Sequence, residues 1–193
     1  MYKISKRMLS TSFCTSSVAK RQGRSKYYAM LKKSRDGELF QVRRGVYATA
    51  SQLADVMIDI KAIAPGGVIC RWTAWSIYSL TTTVPQAFHI AIKRGRKIVP
   101  PNYPLVEFYS VSENIFNLGI TTMNVSGYTI RIYDKERCVC DAIKHRHKIG
   151  TDICAEVLSS YLALPDRNID KLMGYARQLR VANILQRYLE VKL

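Results

Sequence analysis

Acidic side chains are scarce in this chain of 193 residues, where 14 Asp and Glu stand against 30 Lys and Arg and leave a formal net charge of +16. A field of that sign and size raises the local concentration of polyanions, nucleic acid first among them. No uninterrupted run of about eighteen apolar residues occurs, so no membrane-spanning helix and no membrane partner are expected. Internal repeats and low-complexity tracts are missing too. The cysteines, Cys14, Cys70, Cys138, Cys140 and Cys154, lack the spacing of a zinc site, and Cys138 and Cys140, one residue apart in an expected helix, are not placed to share a metal. An odd set of thiols in apolar runs fits a reducing compartment, and a cytoplasmic location is expected. No glycine loop that would cradle phosphate and no spaced acid-acid-lysine pattern is present. The expectation is therefore a protein that is not an enzyme, with no catalytic residues, no cofactor and no metal.

What is present is unevenly placed. Residues 1–48 hold twelve Lys and Arg against Asp36 and Glu38, which concentrates most of the positive charge in the first quarter of the chain and points to a dedicated binding module. The first 35 residues contain no acid and many Ser and Thr, a composition shared with organelle transit peptides. The same stretch carries a helix-turn-helix pattern, however, and is read as retained structure. Ser16 to Arg21 reads as a short helix with Val18 and Ala19 inward. Gly23 makes the turn, and Ser25 caps a second helix through Ser34 that Asp36-Gly37 ends. Glu38 to Val42 and Gly45 to Ala48 then form a hairpin through Arg43-Arg44-Gly45.

The fold expected is α+β: a winged helix-turn-helix DNA-binding domain over 1–49, then a small mixed sheet with a helical C-terminal region over 50–193. In the second part the spacing of Leu53, Val56, Met57, Ile60 and Ile63 predicts one amphipathic helix from Gln52 to Ile63. Strands are predicted over 68–70, 87–93, 105–110 and 128–133, with a further one near 119–123, and a helix over 73–79. From an N-cap at Asp134 onward the pattern is helical: to about Lys148, over 151–162, over 169–179, and from Ala182.

In the second helix Tyr28, Ala29 and Leu31 are expected to pack inward with Leu39. That leaves Lys26, Tyr27 and part of the Met30 side toward a major groove, with Arg21, Arg24, Ser25, Lys32 and Lys33 on phosphates. Arg43 and Arg44 suit a phosphate or minor-groove contact, one of them being expected to pair with Asp36 or Glu38. Two further basic sets, Lys93, Arg94, Arg96 and Lys97 on a turn and Arg177, Arg180 and Arg187 on later helices, form a possible second basic surface and read first as solvated surface. His145 and His147 are expected at the surface, and Asp134, Glu136, Asp141, Asp152 and Glu156 as caps and surface pairs.

Four stretches in register resemble the AbiE-type antitoxins. They are Gly37-Glu38-Leu39-Phe40-Gln41-Val42-Arg43-Arg44-Gly45-Val46-Tyr47, then residues 66–80 from Gly66-Gly67-Val68 to Tyr78-Ser79-Leu80, then Val84-Pro85-Gln86-Ala87-Phe88-His89-Ile90-Ala91-Ile92-Lys93-Arg94-Gly95-Arg96, and Tyr133-Asp134-Lys135-Glu136-Arg137-Cys138-Val139-Cys140-Asp141-Ala142. Arg71-Trp72-Thr73 and Cys138 depart from the family pattern. The resemblance implies a transcriptional autorepressor and antitoxin of a type IV, phage-defence toxin–antitoxin system. Its partner would be a nucleotidyltransferase-like toxin, opposed without need of a stable complex, and the antitoxin activity would lie mainly in the C-terminal portion. The symmetry of winged repressors adds an expected double-stranded DNA operator built of inverted repeats. The alternative reading is a basic RNA-binding accessory protein.

Overall fold

A computed structural model describes residues 13–54 and 58–192, and among these it is a mixed α+β protein with ten helices and two sheets. Lys3, Lys6 and Arg7, counted above in the basic module, lie outside the described residues. Clustering by proximity divides the chain into two compact units, one running to Pro65 and including Asn124–Thr129, the other comprising Gly66–Met123 and Ile130–Leu193. The boundary expected after residue 49 thus falls inside the first unit. Two contacts hold residues 50–65 to what precedes them: the Arg43 guanidinium donates to the Ala62 carbonyl at 2.7 Å, and the Phe13 amide donates to the Asp59 carboxylate at 3.0 Å.

In the first unit β1 (Cys14–Thr15) leads into α1 (Ser16–Arg21) and α2 (Arg24–Arg35), followed by the hairpin of β2 (Phe40–Arg43) and β3 (Val46–Ala48). The antiparallel sheet has the order β1-β3-β2, with Cys14 opposite Tyr47 and Thr15 opposite Val46. Gly23, not Ser25, stands at the N-cap of α2, with φ +114°, and its carbonyl receives the Tyr27 amide at 3.2 Å. At the hairpin Gly45 has φ +77°, and a Cβ there would lie 2.8 Å from the Ser16 hydroxyl, while its carbonyl accepts the Ser16 amide at 2.8 Å. Only glycine meets both demands, a left-handed backbone and a close approach of α1.

The single helix expected from Gln52 to Ile63 is replaced by α3 (Ala50–Ala54) and α4 (Ile60–Ile63). Ile58 and Asp59 are not helical, and Val56 and Met57 of the expected apolar face lie outside the described residues. The cause is local. The Asp59 side chain accepts from the Ala62 amide at 3.0 Å as an N-cap, and a capping residue must itself leave the helix.

The second unit is built on β4 (Val68–Ile69), α5 (Arg71–Ile77), β5 (Phe88–Lys93), β6 (Val106–Val111), α6 (Glu113–Phe116), β7 (Ile120–Val125) and β8 (Tyr128–Tyr133). Four helices follow: α7 (Lys135–Ile149), α8 (Thr151–Leu162), α9 (Ile169–Gln178) and α10 (Ala182–Lys192). The sheet has the order β6-β5-β4-β8-β7; β4 runs antiparallel to β5 and parallel to β8, and β5 runs parallel to β6. Two-residue β4 can hold the centre because Val68, Ile69 and their partners Ile90, Ala91 and Ile132 are all fully buried. The turn at Arg94 therefore leads to a crossover rather than to an adjacent antiparallel strand.

Helix α7 carries charge into the interior. The Arg137 side chain, 2% exposed, donates through Nε to Asp141 at 3.1 Å and through Nη1 to the carbonyls of Ile115 at 2.7 Å and Leu118 at 3.0 Å. Asp134 caps the helix by accepting the Arg137 amide at 2.9 Å. The Lys171 ammonium bridges Asp134 and Glu136, 3.0 Å from each, and the Tyr161 hydroxyl donates to Glu136 at 3.0 Å. Glu136 and Asp141 are thus interior residues, not the caps and surface pairs expected. Removing one partner of a buried pair strands the other, so Asp141→Ala is expected to lower unfolding free energy by about 3–5 kcal/mol. Glu113→Ala, which cuts the exposed Lys93–Glu113 pair, is expected to leave it nearly unchanged. Urea unfolding of both variants checks the contrast, and equal losses would contradict it.

Candidate nucleic-acid interface

Within residues 13–49 nine Lys and Arg face two acids. Which of the nine are presented together is decided by a small core. Ala19 of α1, Met30 of α2 and Tyr47 of β3 are buried, with Cys14, Tyr27, Leu31 and Leu39 packed against them. Tyr27, Met30 and Leu31 stand at i, i+3 and i+4, one face of a helix. The face turned out therefore carries Ser25, Tyr28 and Lys32, all exposed, flanked by Arg24 and Arg35, while the exposed Ala29 lines a groove beside it. Tyr28 is 63% exposed.

That orientation reverses the one expected. Tyr28 and Ala29 do not pack inward, and Tyr27 and Met30 do; the Tyr27 ring also carries the Lys20 ammonium 4.9 Å from its centroid. The reason is that Tyr47 and Leu39 meet α2 on the side of Met30, so the larger apolar pair of the two available faces is consumed there. In α1, Ala19 is buried as expected, whereas Val18 is exposed. Lys26 and Lys33, though exposed, line a mostly apolar groove of about 680 Å³ with Phe13, Val18 and Leu39, away from the outer face. Lys33 also pairs with Glu38 at 3.6 Å. Arg21 is exposed and leans on the Ser17 carbonyl of its own helix at 3.5 Å.

The two hairpin arginines separate. Arg43 is half-buried and tied to Ala62, with its Nε buried and unpaired, while Arg44 is exposed at the tip. Neither pairs with Asp36 or Glu38, contrary to expectation. Strand β1 had no legible signal, since two residues carry no periodicity, yet its register with β3 fixes the start of α1.

In the second unit the basic turn also divides. Lys93 pairs with Glu113 at 2.8 Å, Arg94 lines a cleft, and Arg96 and Lys97 are exposed. Arg177, Arg180 and Arg187 are exposed on α9, on the turn after it and on α10. His147 is exposed as expected, but His145 is half-buried with Nε2 3.1 Å from the Arg71 guanidinium, and His89 is buried with Nδ1 2.8 Å from the Tyr109 hydroxyl. A signal for His145 was available: it lies four residues beyond Asp141 and seven beyond Cys138, on the buried face of α7. The thiols of Cys70, Cys138 and Cys140 are buried, and burial pushes each of them up, so they are protonated at neutral pH.

No protein-family model matches this chain, and no curated protein matches its sequence.

The split between the hairpin arginines has a measurable consequence. Arg43→Ala is expected to cost about 1–3 kcal/mol of stability by leaving the Ala62 carbonyl without its charged donor. Arg44→Ala is expected to stay within about 0.5 kcal/mol of the parent. Chemical denaturation decides between them, and a larger loss for Arg44→Ala would contradict the assignment.

Proposed function

We propose that the first unit is a winged helix-turn-helix that binds double-stranded DNA, with α2 as the helix that enters the major groove and the β2–β3 hairpin as the wing. The observation that carries the reading is the outward face of α2, where an exposed aromatic ring, Tyr28, stands among Arg24, Lys32 and Arg35 on a helix whose opposite face is committed to the core. The order of elements supports it: two helices joined at a glycine, then a hairpin with an exposed arginine at its tip, completed by a short strand that pairs with the hairpin. A major groove about 12 Å wide admits one helix. In this reading Ser25 and Tyr28 approach base edges, the tyrosine ring meeting thymine methyls. Arg24, Lys32 and Arg35 hold phosphates, and Arg44 reaches a phosphate or the minor groove. Tyr27 and Arg43 drop out of the contact set because the core and Ala62 hold them, Lys33 because it pairs with Glu38, and Lys26 because it lines the groove rather than the outer face.

The biological role follows from the four stretches that resemble AbiE-type antitoxins: a cytoplasmic autorepressor that acts on inverted repeats upstream of its own operon and an antitoxin opposing a nucleotidyltransferase-like toxin. The antitoxin part rests on that resemblance alone, whereas the DNA-binding part rests on the face of α2 as well.

The test is a footprint on the duplex upstream of the chain's own reading frame, with affinity measured over a salt series. Tyr28→Ala combined with Lys32→Ala is expected to weaken binding at least about tenfold, and Arg44→Ala to make the log–log salt slope shallower by about one unit. Tyr27→Phe is expected to leave affinity unchanged. Absence of protection together with tight binding to single-stranded RNA would overturn the reading in favour of an RNA-binding accessory protein.

A further inference from the structure

Between β5, β6, α5 and α7 the second unit contains a cleft of about 240 Å³ whose charged lining is Arg71, Arg94, Arg137, Lys144, His145 and Asp141. Arg137 pairs with Asp141 through Nε, and its Nη1 donates to two carbonyls. Arg71, Arg94 and Lys144 are then three cations that form no ion pair among the described residues, with the Asp141 carboxylate, already paired to Arg137, the acid that feels Arg71 and Lys144. The side chains of Arg94 and Lys144 make no hydrogen bond or ion pair there, and both are exposed at the mouth.

Arg71 is held in place at a cost. It has φ +48°, the left-handed region that a non-glycine residue enters at a cost of roughly 1–3 kcal/mol, a strain that collects at ligand sites. Its guanidinium lies 3.8 Å from the centroid of the Tyr109 ring and donates to His145 Nε2 at 3.1 Å. Tyr109 is fixed in turn, because its hydroxyl bonds to Glu107 and to His89 and its ring stacks on the His89 imidazole. An arginine has no acceptor, so His145 Nε2 must accept and Nδ1 must carry the proton. Burial, together with Arg71, Lys144, Lys148 and Arg137, holds the His145 pKa down to about 4, so the imidazole is neutral at pH 7.

We propose that this cleft binds the phosphate group of a small phosphate monoester. Guanidinium forks match phosphate oxygens in pairs, and a dianion offsets most of the charge of three cations that line one cleft. The volume lies below that of ordinary drug-sized pockets, room for a phosphate and a short ester but not for a large ligand. The protonated Cys70 thiol on the wall offers no competing negative charge. Every lining residue belongs to the second unit, so the inference stands independently of the DNA-binding reading.

The probes are inorganic phosphate, a nucleoside 5′-monophosphate and the corresponding nucleoside, each titrated into the full chain by calorimetry and thermal shift. Inorganic phosphate and the monophosphate are expected to bind at about 1 mM or tighter and the nucleoside not to bind. Equal affinity for the first two means the phosphate alone is read; tighter binding of the monophosphate means the ester contributes. Arg94→Gln combined with Lys144→Gln is expected to weaken binding about tenfold or more without lowering the melting temperature of the ligand-free chain. Lys32→Ala combined with Arg44→Ala, in the first unit, is expected to leave it intact. Bound phosphate is also expected to raise the His145 pKa, read from its imidazole proton signals. No binding by either phosphate, or binding that survives the Arg94–Lys144 double variant, overturns the proposal.

Discussion

A guanidinium keeps its charge when it is buried, so it is tolerated there only where acceptors meet it, and Arg137 is placed under that constraint at the start of α7. Its bonds to Ile115, Leu118 and Asp141 fix the loop between α6 and β7 against the helix. The fit is close: Gly119 sits at φ +76° where a Cβ would come within 2.8 Å of Arg137 Cβ. From the same turn, Asp134 and Glu136 draw in Lys171 of α9 and Tyr161 of α8, and the Cys138 carbonyl receives the Trp75 indole of α5 at 3.1 Å. One helical turn thus sets the positions of three other helices. It also aims Asp141 and His145 toward Arg71, so the cationic cleft is a by-product of how the interior charge is satisfied. A buried ion pair of this kind contributes less to stability than to the uniqueness of the arrangement around it.

The first unit is organised by apolar contact instead. Ala19, Met30 and Tyr47, with Cys14, Tyr27, Leu31 and Leu39 against them, join α1 and α2 to the sheet, and Val42, Val46 and Ala48 of the hairpin are buried as well. The side chains that α2 commits to this cluster decide which of its faces is left outward. The exposed tyrosine and its cationic neighbours on α2 are presented because Tyr27, Met30 and Leu31 face the cluster. In the hairpin Arg43 is drawn to Ala62, while Arg44 one residue on is exposed.

Elements with strong local signals were readable in the sequence. Helix α1, strand β8 and helix α8 have the boundaries that periodicity and caps predict, and Asp134 caps α7 as its position suggests. What could not be read was set by partners distant in the chain. β1 exists because β3 pairs with it, and the parallel course of β5 and β6 is a matter of topology. On α2 two faces, one with Tyr27 and one with Tyr28, were each apolar enough to be chosen, and only the location of Tyr47 and Leu39 decides between them. Glu136, Asp141 and His145 were misjudged because a charged residue on a helix is ordinarily solvated, and the interior partners that change this lie on other elements.

The most direct measurement of the DNA-binding account is the set of intermolecular nuclear Overhauser effects between the isotope-labelled full chain and an operator duplex. The account predicts contacts to duplex protons from the Tyr28 ring and the Ser25 methylene, with none from Tyr27 or from α7 to α9. Contacts from the second unit alone, or from Tyr27 in place of Tyr28, would contradict it.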